Sequence, residues 1–256
     1  LMVQAKEFRL LNFDNASHIT NEMSDALCTL STGGGIGVRA LYTDGDLNVQ
    51  SYSRPIVMNG ITGYANRPDL LERAIPLRLP VMPDSGRERE DVLMERFKEA
   101  HPRILGALYD GAAAALRNRD TMEAPKGLRM ADAALWIAAA EPAFGFDPGS
   151  LVAAVKEAQD EVFIERVNDD AVVIKLRALT ALKPLEDYVG GLFERITDSG
   201  DRNLPKTPSA LSKHLVRLAP AMAKAGLLVE FGDKTRYGKR VWVGTSEQHA
   251  RLRENS

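Results

Sequence analysis

The stretch Arg9-Leu10-Leu11-Asn12-Phe13-Asp14-Asn15-Ala16-Ser17, RLLNFDNAS, decides how the N-terminal part of this chain is read. Residues 8–14 form a short, continuous apolar run, the pattern of a strand buried on both faces. The run stops in an acid and an amide. A second run of the same kind, RPIVMNGI at residues 54–61, stops at Asn59-Gly60. Two buried strands with polar ends predict an open α/β layer, in which ligands bind beyond the carboxyl ends of the strands. There Asp14 can hold a magnesium ion through its water shell, and Asn59 can orient a water or a phosphate oxygen. Polar residues at strand ends are also ordinary turn-formers, and local pattern leaves both readings open. Arg73, in DLLERAI, ends a short helix that begins near Pro68-Asp69. It is either a surface arginine or a cation that reaches a neighbouring subunit's nucleotide.

The segments around these strands follow from pattern. Residues 19–30 predict a helix with Ile19, Met23, Ala26, Leu27 and Leu30 on one face. STGGGIG, residues 31–37, is not a phosphate loop, because no Gly-Lys-Ser/Thr opens a helix there. It leads into VRALYTDGDLNVQSY, a hairpin by its Asp44-Gly45 turn. After Arg73, the residues Ile75, Leu77 and Leu79 predict a strand, closed by Pro80 and Pro83. Residues 87–165 are Ala-rich and predict helices throughout. Residues 169–197 predict two helices, with KPLEDYVGG between them ambiguous. A further helix starts at Thr207-Pro208, buries Leu211, Leu215, Leu218 and Met222, and stops at Gly226. LLVEF and RVWVG then make an antiparallel pair. Three helices followed by a two-stranded ribbon are the order of a winged helix-turn-helix.

Composition bounds the function. The 256 residues are 45% apolar and 27% charged, as in ordinary globular proteins. No apolar run approaches the ~18 residues a membrane helix needs, and residues 1–15 lack a signal-peptide pattern. The single cysteine, Cys28, excludes an internal disulfide and suits a reducing, cytoplasmic setting; the four histidines lack metal-ligand spacing. The first residue is Leu1, which predicts a reading frame that begins inside a longer one. Net charge is −2, yet residues 201–244 hold nine Lys/Arg against three Asp/Glu, leaving −8 on the remainder. A basic end on an acidic body points to a polyanion partner. On the helix that follows Thr207, Ser209, Lys213 and Arg217 lie opposite the leucines. With Lys206 before it and Lys234, Arg236, Lys239 and Arg240 in the ribbon, they form a candidate nucleic-acid-binding set. Winged helices also serve as protein-interaction modules, and that alternative stands beside it.

Taken in order, LLNFDNAS, SDALCTLSTGGG, VRALYTDGD, RPIVMNGI, PDLLERAIPLRLP, HPRILGALYDGAAAALRN, LRMADAALWIAAAEPAFGF and SALSKHLVRLAPAMAKAGLLVEF cover most of residues 1–244. The set resembles the AAA+ ATPases of phage and mobile-element replication proteins, the superfamily 3 helicase-like group often fused to primases. The resemblance implies an α/β plus α fold in three parts. Residues 1–82 would be the C-terminal part of an AAA+ core, residues 83–166 a helical lid and residues 167–246 a winged helix, with 247–256 as a tail. It also implies roles: Asp14 as the magnesium-side acid of the Walker B strand, Asn15 at the place of a catalytic glutamate, Asn59 as sensor 1 and Arg73 as a trans-acting finger. Mg²⁺ and ATP would be the cofactors of a complete, ring-forming core, and DNA the partner. Two departures matter. No Gly-Lys-Ser/Thr occurs anywhere, so the chain alone lacks the donors for the β- and γ-phosphates and is expected to be inactive. The hairpin tip Asp44-Gly45-Asp46 is acidic and would repel a phosphate backbone, although Arg39 lies at its base. The competing reading is a non-enzymatic DNA-binding or assembly factor, or a transcription regulator, with a degenerate ATPase core.

Overall fold

The computed structural model describes residues 1–39, 47–61, 67–197 and 204–254. Two compact units divide it, Leu1–Gln159 and Asp160–Ser256. The acidic hairpin tip at residues 44–46 lies outside the described residues.

The first unit opens with α1 (Met2–Glu7), β1 (Leu11–Phe13) and α2 (Asn21–Thr32). Thr20 caps α2, its hydroxyl accepting from the Met23 N–H at 3.2 Å. Gly33, at φ +77°, ends the helix in the left-handed region. The buried face of α2 carries Ser24, Leu27, Cys28 and Leu30. Met23, expected inside, is 40% exposed, so the packed stripe runs one residue later at this turn. An antiparallel pair, β2 (Gly35–Arg39) with β3 (Leu47–Ser51), follows. Next, β4 (Ile56–Met58) pairs in parallel with β1, matching Leu11 to Ile56 and Phe13 to Met58. Among the described residues β4 pairs with β1 alone. Arg54 ties this sheet to the chain start, its Nε donating to the Ala5 and Phe8 carbonyls at 2.9 Å.

The short helix α3 (Pro68–Leu71) begins with proline at its first turn, as read from sequence. The strand expected over Ile75, Leu77 and Leu79 does not form. Leu77 and Leu79 are each 85% exposed and Val81 is 95% exposed. Their alternation suits a strand, but a strand exists only through a ladder partner, and the described residues offer none. Past residue 86 the unit is helical: α4 (Glu90–Asn118), α5 (Ala131–Ala140) and the start of α6 (Ser150–Asn168). Gly111 on α4 lies so close to the Phe144 ring that an added Cβ would sit 2.4 Å from it. Glu141 is buried but satisfied, its carboxylate accepting from the Gly149 and Leu151 N–H groups at 2.6 and 2.8 Å at the start of α6.

In the second unit, α7 (Ala171–Thr180) is capped by Asp170, whose Oδ1 accepts from the Val172 and Val173 amides. The ambiguous KPLEDYVGG resolves into a strand, β5 (Leu185–Tyr188), that runs into α8 (Val189–Thr197). Then α9 (Pro208–Lys224) starts on the Thr207 cap, whose hydroxyl accepts from the Ala210 N–H at 3.1 Å. β6 (Leu227–Thr235) and β7 (Gly238–Thr245) follow, and the sheet order is β5-β7-β6, antiparallel throughout. Leu211, Leu215, Leu218 and Met222 of α9 join Val172, Leu176, Leu192, Ile196, Leu227 and Val243 in one core. The segment read as a tail instead forms α10 (Ser246–Glu254). The cause is a reciprocal cap: Gln248 Oε1 accepts from the Thr245 N–H at 2.8 Å, and Thr245 Oγ1 accepts from the Gln248 N–H at 3.2 Å. No helix among the described residues is long and apolar enough to cross a membrane.

Candidate functional site

The parallel pairing of β1 and β4 places their carboxyl ends side by side, so that Asp14 and Asn59 each follow the last ladder pair, Phe13 and Met58. Three hydrogen bonds close this end. The Asn59 N–H donates to the Phe13 carbonyl at 3.1 Å, and the Ala16 N–H donates to the Asn59 carbonyl at 2.8 Å. The Asn15 N–H donates to Asn59 Oδ1 at 2.7 Å. Asn15 makes this possible by adopting φ +55°, a left-handed conformation that asparagine tolerates better than most side chains. Asp14, Asn15 and Asn59 therefore meet at one exposed edge, as the sequence placed them. The Asp14 carboxylate and Asn59 Nδ2 have no partner among the described residues, so an acid and an amide donor face solvent together.

Arg73 is not part of this cluster. Its Nη1 donates to the Asp69 carbonyl at 2.6 Å and lies 4.0 Å from Cys28 Sγ, while its Nε is buried without a partner. The guanidinium is thus folded back onto α3. Cys28 beside it is 9% exposed. Burial first, and then the Asp69 charge, push its thiol above the usual cysteine range, which keeps it a packed, protonated side chain.

The Asp14–Asn59 edge fits only part of a magnesium–nucleotide site. An acid and an amide are present, but the chain has no Gly-Lys-Ser/Thr loop for the phosphates. Among the described residues, no group of three or more His, Cys, Asp or Glu gathers to hold a metal. A recess of about 280 Å³ lies elsewhere, at the start of α2, lined by His18, Thr20, Asn21, Ser24 and Arg67 among others. Arg67 is already engaged there, with Asp69 and Asp25 each at 2.7 Å.

The second candidate surface is on the C-terminal unit. Burying Leu211, Leu215 and Leu218 turns Ser209, Lys213, Val216 and Arg217 outward. Lys206 is exposed just before the helix. The β6–β7 ribbon pairs Lys234 with Lys239 and Thr235 with Gly238, so Arg236 and Tyr237 form its tip. The Arg236 guanidinium lies 4.6 Å from the Tyr237 ring centre, and Lys239 Nζ lies 4.3 Å from that of Phe231. Arg240 faces Glu186 at 3.9 Å. The structure thus gathers Ser209, Lys213 and Arg217 on one helix face, and Lys234, Arg236, Lys239 and Arg240 on one ribbon. Sequence reading missed the anchoring of α9 from below. His214 Nε2 lies 2.9 Å from Asp170 Oδ2, and Arg217 Nη2 lies 3.1 Å from His214 Nδ1. Burial works to raise the Asp170 pKa, but the His214 contact and two amide donors outweigh it and hold the carboxyl below its usual range. The sequence signal was Asp before an apolar helix start, with a histidine on a core-facing flank.

Residues 4–163 match the family model described as actinomycete integrative conjugative element replication protein. Residues 177–254 match the one described as AICE RepA C-terminal domain. Comparisons with curated proteins and with solved structures returned no match.

Proposed function

This chain belongs to the actinomycete integrative conjugative element replication protein family, a replication protein of a mobile element, and from that premise we propose that it acts by gripping DNA. In this reading the C-terminal unit is a winged helix, with α9 in the major groove and the β6–β7 ribbon as the wing on the backbone. The observation that carries it is the order α7-β5-α8-α9-β6-β7 with sheet order β5-β7-β6, joined to an outward basic set on α9 and the ribbon. The test is the salt dependence of binding to duplex DNA. Each neutralised phosphate releases counterions, so affinity should fall steeply between low and moderate salt. Affinity that does not move with salt sinks the reading.

The N-terminal unit, in the same proposal, holds the magnesium-side half of an AAA+ helicase-like ATP site. Asp14 would face the metal's water shell and Asn59 Nδ2 would orient a water or phosphate oxygen. Asn15, whose N–H is spent on Asn59, would hold the strand end in place. Mg-ATP would need a phosphate loop from polypeptide outside this sequence. Among the described residues β4 has one edge without a strand partner, and with the exposed run Leu77, Leu79, Val81 this supports a larger sheet into which a further strand inserts. Arg73 would serve a neighbouring subunit only after leaving the Asp69 carbonyl. This chain alone should turn over no ATP above background; clear turnover would overturn this half-site account.

A further inference from the structure

Three side chains link the interior of the C-terminal unit to the outer face of α9. Asp170 caps α7 with one oxygen and contacts His214 Nε2 with the other, at 2.9 Å. His214 Nδ1 then meets Arg217 Nη2 at 3.1 Å. A guanidinium only donates, so Nδ1 is the acceptor. That places the imidazole proton on Nε2, where Asp170 receives it. The donors therefore run in one direction, from Arg217 through His214 to a carboxylate held by two backbone amides. Asp170 and His214 are about one-fifth exposed (21% and 22%), whereas Arg217 projects to solvent. By contrast, Lys206, Lys213 and Lys234 have no hydrogen-bond or ion-pair partner among the described residues.

We propose that Asp170 and His214 are positioning residues that hold Arg217 as a guanine-reading arginine for the major groove of duplex DNA. The proposal rests on α9 being the DNA-contacting helix. Phosphate contacts tolerate a mobile cation, and the free lysines suit that task. Base reading needs direction: two parallel N–H groups must meet guanine O6 and N7. One Arg217 N–H is spent on His214, and the remaining four leave such a pair available. Anchoring also removes part of the side-chain freedom that binding would otherwise have to quench. Val216, beside Arg217 and 53% exposed, is a poor neighbour for a phosphate but a good one for a thymine methyl.

The experiment selects duplexes from a pool with a randomised centre, using the full chain. It then measures affinity for the selected duplex and for the same duplex with one guanine replaced. The native chain should enrich a guanine whose replacement costs about tenfold or more. Arg217→Lys keeps the positive charge but loses the paired N–H donors, so that discrimination should be lost. His214→Ala should lower the discrimination several-fold without changing the salt slope. Asp170→Asn keeps a capping oxygen and should give an intermediate loss, which covers the case in which His214→Ala misfolds. Lys213→Ala should weaken all duplexes alike and reduce the salt slope by about one. Unchanged discrimination in Arg217→Lys overturns the guanine assignment, and unchanged discrimination in both His214→Ala and Asp170→Asn overturns the positioning role. Duplex binding without any guanine dependence overturns this inference alone, whereas no duplex binding overturns the DNA reading itself.

Discussion

The two candidate surfaces rest on unequal foundations. In the C-terminal unit α7, α8, α9 and the three-stranded sheet enclose one core, with Leu176, Leu192, Ile196, Leu211, Leu215, Met222, Leu227 and Val243 all fully buried. Around β1 and β4 the described residues form two small clusters instead. One is centred on Ala5, Leu11 and Leu30, the other on Leu27, Cys28 and Leu70. Among the described residues this is a two-stranded parallel sheet with an exposed Val57, which leaves little apolar area to hold it. The contrast teaches that the basic face is built on one large core, while the Asp14–Asn59 edge rests, among the described residues, on two small clusters.

Truncating the well-packed side should have the largest effect. Leu215→Ala should destabilise the C-terminal unit by about 2–5 kcal/mol. The chain holds two tryptophans, Trp136 in the first unit and Trp242 in the second, so single-tryptophan variants can report each unit's denaturant midpoint. Leu11→Ala, in a three-residue cluster, should fall at or below the lower end of that range. Equal losses at the two sites would erase the contrast.

A smaller effect is expected at Asp170. Asp170→Ala removes the α7 cap and should cost about 1 kcal/mol. Asp170→Asn keeps a capping oxygen and isolates the charge. The folded carboxyl titrates below its unfolded value, so its contribution is present above the unfolded pKa and is lost as pH falls through the folded one. The stability gap between the native chain and Asp170→Asn should therefore be full at neutral pH and close in acid, below the usual carboxylate range. A gap that stays constant through the acid range would show that the carboxylate charge contributes nothing.

The smallest effect belongs to the strand ends. Asn59→Ala removes the acceptor of the Asn15 N–H at an exposed edge, where water replaces it, and should cost only about 0.5 kcal/mol, read at Trp136. An unchanged midpoint at Trp136 would show that this hydrogen bond contributes nothing to the stability of the first unit.

Much of this was legible in the residues, and the misses share a cause. Thr207-Pro208 and the leucines of α9 specify a capped amphipathic helix through local chemistry, so its ends and its buried face were readable. Asp14 and Asn59 were readable because both sit where an apolar run stops. The strand over Leu77 and Leu79 was misread because alternation states only that a strand would be compatible. In KPLEDYVGG, the strand β5 is made by pairing with β7, more than fifty residues away in the chain. The helix α10 was missed although its signal, Thr245 and Gln248 three residues apart, stood in the sequence.

The sequence by itself determined the caps, the inward and outward faces of α9, the basic end, the polar strand ends and the lack of a phosphate loop, because each depends on residues within a few positions of one another. Only the tertiary structure decided that Asn15 reaches Asn59, that Arg73 folds back onto α3, and that Asp170 and His214 stand beneath Arg217. Those contacts join residues brought together by strand pairing and helix packing, and hydrogen bonds form only where the fold puts donor and acceptor within about 3 Å.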